Sequence, residues 1–212
     1  MLYLSRMPLN WMPIKKFCSA LLLLFPLWVM AQAMPPLNDV NHSVLLTGFA
    51  VNKPAQLTDV DNIALGLPRE IARRLEQSQQ FNVRTIPELL STDWVLNPPS
   101  AKLLAQTANT YDVRYVISGD VRNAGMREIP VLFGLWSKKV RSIEIDLSVY
   151  DARAGKLMKR YSFTAAANGD VLIGKEYVFG GDEFSATPYG KAILNVADQA
   201  AHALTANLER QP

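Results

Sequence analysis

The chain has 212 residues, with 22 Lys and Arg, 19 Asp and Glu, two His and one Cys. Three of the basic residues, Arg6, Lys15 and Lys16, lie in the first 33 positions, which hold no acid; from Met34 to Pro212 the 19 remaining basic residues are balanced by 19 acidic ones. That balance removes the main electrostatic support for a nucleic-acid or anionic-membrane partner, and a lone cysteine excludes a disulfide framework.

The N-terminus reads as an export signal. A basic stretch ends in Lys15-Lys16, an apolar Leu-rich run follows from Phe17 to Met30, and Ala31-Gln32-Ala33 supplies small residues where a signal peptidase cuts. The run falls short of the roughly 20 residues that span a bilayer, and Pro26 interrupts it. Cleavage is expected after Ala33, leaving residues 34–212 as one periplasmic α/β domain. Cys18 opens the apolar run instead of following it, so an acylated lipoprotein cysteine is not expected there.

Met34 to Asn41 is a Pro-containing entry segment. Ser43 to Val51 is nearly all apolar and predicts a strand buried on both faces. Asp61 to Gln77 predicts a helix whose Ile63, Leu67, Ile71 and Leu75 form one stripe; Pro68 either kinks it or opens its regular part. Phe81 to Ile86 predicts a second strand, closed by Pro87. A helix follows from Ser100, its N-cap, to about Thr110, with Leu103, Leu104 and Thr107 inward. Tyr115 to Val121 is a third strand. The first half thus alternates strand, helix, strand, helix, strand.

The rhythm then changes. From Lys138 to Tyr150, Ile143, Ile145, Leu147 and Val149 alternate with Glu144, Asp146 and Ser148, as in a half-buried strand. Asp151 to Gly155 is a hairpin turn, and Leu157 to Ala167 the return strand. Asn168 to Ser185 is glycine-rich and irregular. A last helix runs from about Pro188 to Leu208, with Ile193, Val196, Ala200, Leu204 and Leu208 inward. The fold class expected is a single α/β domain with a mixed sheet, an antiparallel hairpin and a C-terminal helix.

Residues for chemistry are scarce. His42 and His202 are far apart in sequence and lack ligand neighbours at helical spacing, apart from the weak pair of Asp198 with His202. No zinc or transition-metal site is expected. A Gly-x-Ser-x-Gly elbow, a phosphate-cradling glycine loop and a Gly-x-Gly-x-x-Gly turn are all missing. Glu144 and Asp146 share the solvated face of their strand, and Lys138, Lys139 and Arg141 read as a solubilising, edge-protecting run. Catalytic, cofactor and metal residues are therefore expected to be none, and no small-molecule substrate is expected.

One stretch stays open. Ile129 to Trp136, Ile-Pro-Val-Leu-Phe-Gly-Leu-Trp, is apolar, lies between two strands, and is too broken by Pro130 and Gly134 for a helix. Such a loop is either packed as core or hairpin, or is a docking surface for a partner or membrane. Leu132, Phe133, Leu135 and Trp136 are the candidate contact residues.

The order of several short motifs resembles a known family. Leu-Thr-Gly-Phe at 46–49, Ile-Ala-Arg-Arg-Leu-Glu-Gln-Ser at 71–78 and Gln-Phe-Asn-Val-Arg at 80–84 resemble a unit of the N-terminal domain of the Tol translocation protein B. The unit also occurs in the curli secretion lipoprotein, in penicillin-binding-protein activator lipoproteins and in the middle domain of flagellar assembly protein T. Thr110 to Val121 resembles the family's helix-to-strand stretch, and Val149 to Lys156 its strand hairpin. Phe184 to Ile193, Phe-Ser-Ala-Thr-Pro-Tyr-Gly-Lys-Ala-Ile, is most similar to the flagellar protein, where a Thr/Ser-x-Tyr-Gly motif opens the last helix. The resemblance spans Val44 to Leu208. It implies a non-catalytic periplasmic module that binds proteins, with flagellar basal-body or outer-membrane components as partners. The flagellar protein carries further domains on both sides of its middle one, and this chain has no room for them, so a ring-building role is not expected to transfer whole. The alternatives are an activator or adaptor of cell-wall synthesis or outer-membrane secretion and, without a nucleophile–base pair to support it, an exported hydrolase.

Overall fold

The structure is a computed structural model and describes residues 42–60, 62–90, 94, 97–133 and 135–209. The export signal, Cys18, the entry segment to Asn41, Asp61 and Gly134 lie outside the described residues. Seven strands among the described residues form one mixed sheet: β1 Ser43–Gly48, β2 Ala50–Val51, β3 Asn82–Leu90, β4 Tyr115–Asn123, β5 Met126–Val131, β6 Trp136–Asp151 and β7 Lys156–Asn168. The helices are α1 Ile63–Gln77, α2 Ala101–Tyr111, α3 Asp182–Ala186 and α4 Pro188–Leu208.

Strands β3, β1 and β4 are parallel neighbours, and β6 joins β4 antiparallel. Strand β6 is the spine. Its residues 144–151 pair with β4, its residues 136–141 with β5, and its residues 140–151 with β7. Each strand has two hydrogen-bonding edges, so β5 continues the edge used by β4 and β7 takes the other. From Trp136 to Lys139, β6 pairs with β5 alone. At about 3.3 Å per residue, a two-stranded ribbon therefore runs roughly 13 Å past the rest of the sheet.

The sheet is covered on both faces. The larger core joins the stripe of α1 and the inner side of α4 to Val44, Leu46, Ile117, Ile143, Ile145, Leu147 and Val149. A smaller one lies on the opposite face, where α2 covers Leu45, Val116, Tyr150 and Trp94. The expected inner stripe of α4 is fully buried. On α2, Ser100 caps Leu103 N–H at 3.2 Å, but the inner side consists of Leu104, Thr107 and Ala108, and Leu103 faces outward.

Pro68 and Pro87, which lie inside a helix and a strand, each have a local explanation. Helix α1 runs through Pro68, which has no N–H to give the carbonyl of Ala64, four residues earlier. Phe49 donates its N–H to that carbonyl at 2.9 Å. Phe49 is free to do so because it sits at the break between β1 and β2. The expectation that Pro87 closes its strand is corrected: β3 continues to Leu90. Strand β3 is an edge, and its register against β1 shifts between Ile86 and Leu90, so no ladder bond depends on a donor at Pro87.

Candidate functional site

The hairpin of β5 and β6 has a root and a tip, and they are built differently. At the root, Met126 pairs with Arg141. Arg141 belongs to the inward set of β6, two residues before Ile143, and is 2% exposed. Its guanidinium holds Asp59 through two bonds, at 2.6 and 2.8 Å. It also donates to the carbonyls of Ala124 at 3.1 Å, Val171 at 3.1 Å and Gln56 at 2.6 Å. All its nitrogens are thus engaged, as a buried guanidinium requires. Burial raises the pKa of Asp59, but the Arg141 hydrogen bonds, the Ile173 N–H and the Arg141 charge outweigh that and hold it below the usual aspartate value. Arg141 is thereby corrected from a solubilising surface charge to a core residue.

The Thr-Pro-Tyr-Gly motif locks the same root. Thr187 caps α4, accepting from Gly190 N–H at 2.9 Å and donating to the Phe184 carbonyl at 2.8 Å. Pro188 occupies the first turn, where no N–H is needed. A Cβ on Gly190 would collide with the Phe184 carbonyl oxygen. Tyr189 is fully buried, its ring 4.0 Å from the Arg141 guanidinium carbon, and its hydroxyl donates to the Ser142 carbonyl at 3.3 Å. Burial pushes the Tyr189 hydroxyl pKa well up, against the opposing Arg141 charge. Thr187, Pro188 and Gly190 thus shape the start of α4, and Tyr189 joins it to the spine strand where the hairpin leaves it.

The tip has no such support. Ile129 to Val131 belong to β5 and Trp136 opens β6, so the apolar stretch is a hairpin, with Leu135 N–H donating to the Leu132 carbonyl at 3.2 Å across the turn. It is not core. Phe133 is 105% exposed, Leu135 71%, Trp136 65% and Leu132 53%. The four candidate residues are adjacent and all face solvent. Leu132 and Phe133 have φ of 52° and 57°, a left-handed conformation that costs a side-chain-bearing residue about 1–2 kcal/mol and that hairpins normally give to Asn or Gly.

Glu144 and Asp146 share one face, as expected; Asp146 is 3.3 Å from Arg122 and accepts from the Ser162 hydroxyl at 2.7 Å. His202 is exposed, and the half-buried His42 ring lies against Phe81. Among the described residues no group of three or more His, Cys, Asp and Glu could hold a metal ion, and no helix is long and apolar enough to cross a membrane. A cleft of about 210 Å³ lies between the start of α1 and residues 175–179, with Arg69, Glu70, Lys175 and Glu176 on its walls.

Comparison with known proteins places this architecture. A hypothetical protein from Chlamydia trachomatis has a similar fold, with a TM-score of 0.58 at 13% identity over 78% of this chain and 96% of that one. A lipoprotein from Neisseria meningitidis matches at 0.43 and 15% identity, over 78% and 98%. A protein from Xanthomonas campestris matches at 0.48 and 12%, over 80% and 90%. No curated protein matches in sequence. The family described as flagellar assembly protein T, middle domain, matches residues 37–177, and the chain belongs to that family.

Proposed function

We propose that this chain is an exported, non-catalytic accessory protein of flagellar assembly, working by protein–protein contact in the cell envelope. Its N-terminal 33 residues are its export signal, and residues 34–212 are the working domain. The family supplies the flagellar setting. The observation that carries the reading is the hairpin tip: four large apolar side chains held in solvent on a strained turn, above a root locked by Arg141 and Tyr189. Exposed apolar surface of this kind marks a contact site, and a tip that stabilises nothing in its own fold is suited to holding the chain where assembly takes place. Leu132, Phe133, Leu135 and Trp136 are the contact residues; basal-body or outer-membrane components are the assembly served.

Deleting the gene in its host tests this. Swimming in soft agar should be lost, with filaments missing or detached in electron micrographs. Normal swimming with normal filament numbers would sink the flagellar reading.

A further inference from the structure

The hairpin register sorts its side chains into two faces, because residues directly opposite each other share a face. Arg127, Ile129, Val131, Trp136 and Lys138 lie on one; Glu128, Pro130, Ser137 and Lys139 lie on the other. The first face is apolar toward the tip and basic toward the root. Leu132, Phe133 and Leu135 extend its apolar end. Lys138 sits two residues behind Trp136, roughly 7 Å along the strand, and Arg127, Lys138 and Lys139 are all exposed.

From this gradient we infer that the tip inserts into the interface of an anionic lipid bilayer. This rests on the reading of the tip as the element that holds the chain where assembly takes place and replaces the protein surface proposed above as what it touches with a bilayer; the protein–protein contact of that reading is then made by another surface of the domain. Interfacial elements bury their apolar face about 5–10 Å deep, comparable with the roughly 7 Å that separates Trp136 from Lys138 along β6. Insertion to the Trp136 rung puts the indole at the level favoured by membrane-interface tryptophans and brings Lys138 to the headgroups, with Arg127 two residues further back on the same face. A protein groove fits less well, because lysine is depleted from protein–protein interfaces, whereas each Lys or Arg near an anionic bilayer adds affinity. The neutral balance from Met34 onward removes long-range attraction, but the basic residues act within a Debye length of the surface, where local charge decides. The left-handed Leu132 and Phe133 agree with this: a turn made of Asn and Gly would cost less and would leave nothing to insert.

The test is flotation of the purified chain, as its host processes it, with vesicles of phosphatidylethanolamine and phosphatidylglycerol and, separately, of phosphatidylcholine. The triple variant Leu132→Ser, Phe133→Ser, Trp136→Ser and the pair Arg127→Glu, Lys138→Glu are run alongside. All three proteins share one N-terminus, so differences belong to the hairpin, and thermal midpoints show that each is folded. The chain should bind the anionic vesicles roughly tenfold or more tightly than the neutral ones, with Trp136 emission shifting to the blue. The triple variant should lose binding, and the charge pair should lose the preference for anionic lipid. Equal flotation of wild type and triple variant, or none by either, would overturn the inference. If wild type does not float but the triple variant still stops swimming, the tip touches protein, and the lipid assignment fails while the function stands. Tip-dependent self-association without vesicle binding would likewise overturn it, in favour of a second copy.

Discussion

The two ends of one hairpin teach opposite lessons. At its root, Arg141 is a charge placed where apolar residues belong, and it is tolerated because Asp59, three carbonyls and the face of Tyr189 meet every side of it. At its tip, Leu132, Phe133, Leu135 and Trp136 are apolar residues placed where charges belong, and each leaves more than half of its surface to solvent. The root spends polar chemistry on stability. The tip combines strained backbone with an apolar surface open to solvent, which under the proposed function is the contact.

Breaking the root should have the largest effect. Arg141→Ala leaves Asp59 without its partner and three carbonyls without donors, and should cost about 3–5 kcal/mol, read as a fall in the urea midpoint. Gly190→Ala drives a methyl into the Phe184 carbonyl and should cost about 1–3 kcal/mol, detaching α4 at its start. Sharpening the tip comes next: Leu132→Asn with Phe133→Gly relieves the left-handed strain and should stabilise the fold by about 1–2 kcal/mol while removing contact function, the trade expected of a strained functional site. The smallest change is the Ser triple variant, whose stability should stay within about 0.5 kcal/mol of wild type.

Acidification addresses the root alone. The folded pKa of Asp59 is lowered, so the stability it contributes is present above the unfolded aspartate value near pH 4 and is lost as pH falls through the lower folded value. Asp59→Asn should flatten that part of the stability-versus-pH curve. An unchanged acid limb would show that other carboxylates dominate.

Much of the architecture was legible because local signals agreed. Helix α4 was placed from about Pro188 to Leu208, and its stripe from Ile193 to Leu208 matched the helical period. The alternation of Ile143 to Val149 marked β6. The failures share a cause: a local rule overridden by pairing that a sequence does not display. Pro87 reads as a terminator unless β3 is known to be an edge. Arg141 reads as part of a basic run with Lys138 and Lys139, although its odd position matches Ile143 and Ile145; that phase was the available signal, and it pointed inward. Strand β5 was missed because Met126 to Val131 has no alternation to show, being exposed on both faces. The tip could be located but not resolved between core and surface, since an apolar run looks the same in either place.

The central claim is that the tip works and does not stabilise. The most direct test replaces the chromosomal gene with Leu132→Ser, Phe133→Ser, Trp136→Ser and measures swimming, with protein level and thermal midpoint determined on the same strain. The account predicts wild-type abundance, an unchanged midpoint and loss of swimming. Full swimming at wild-type abundance would contradict it, and so would a collapse of the midpoint, which would mean that these side chains hold the fold together after all.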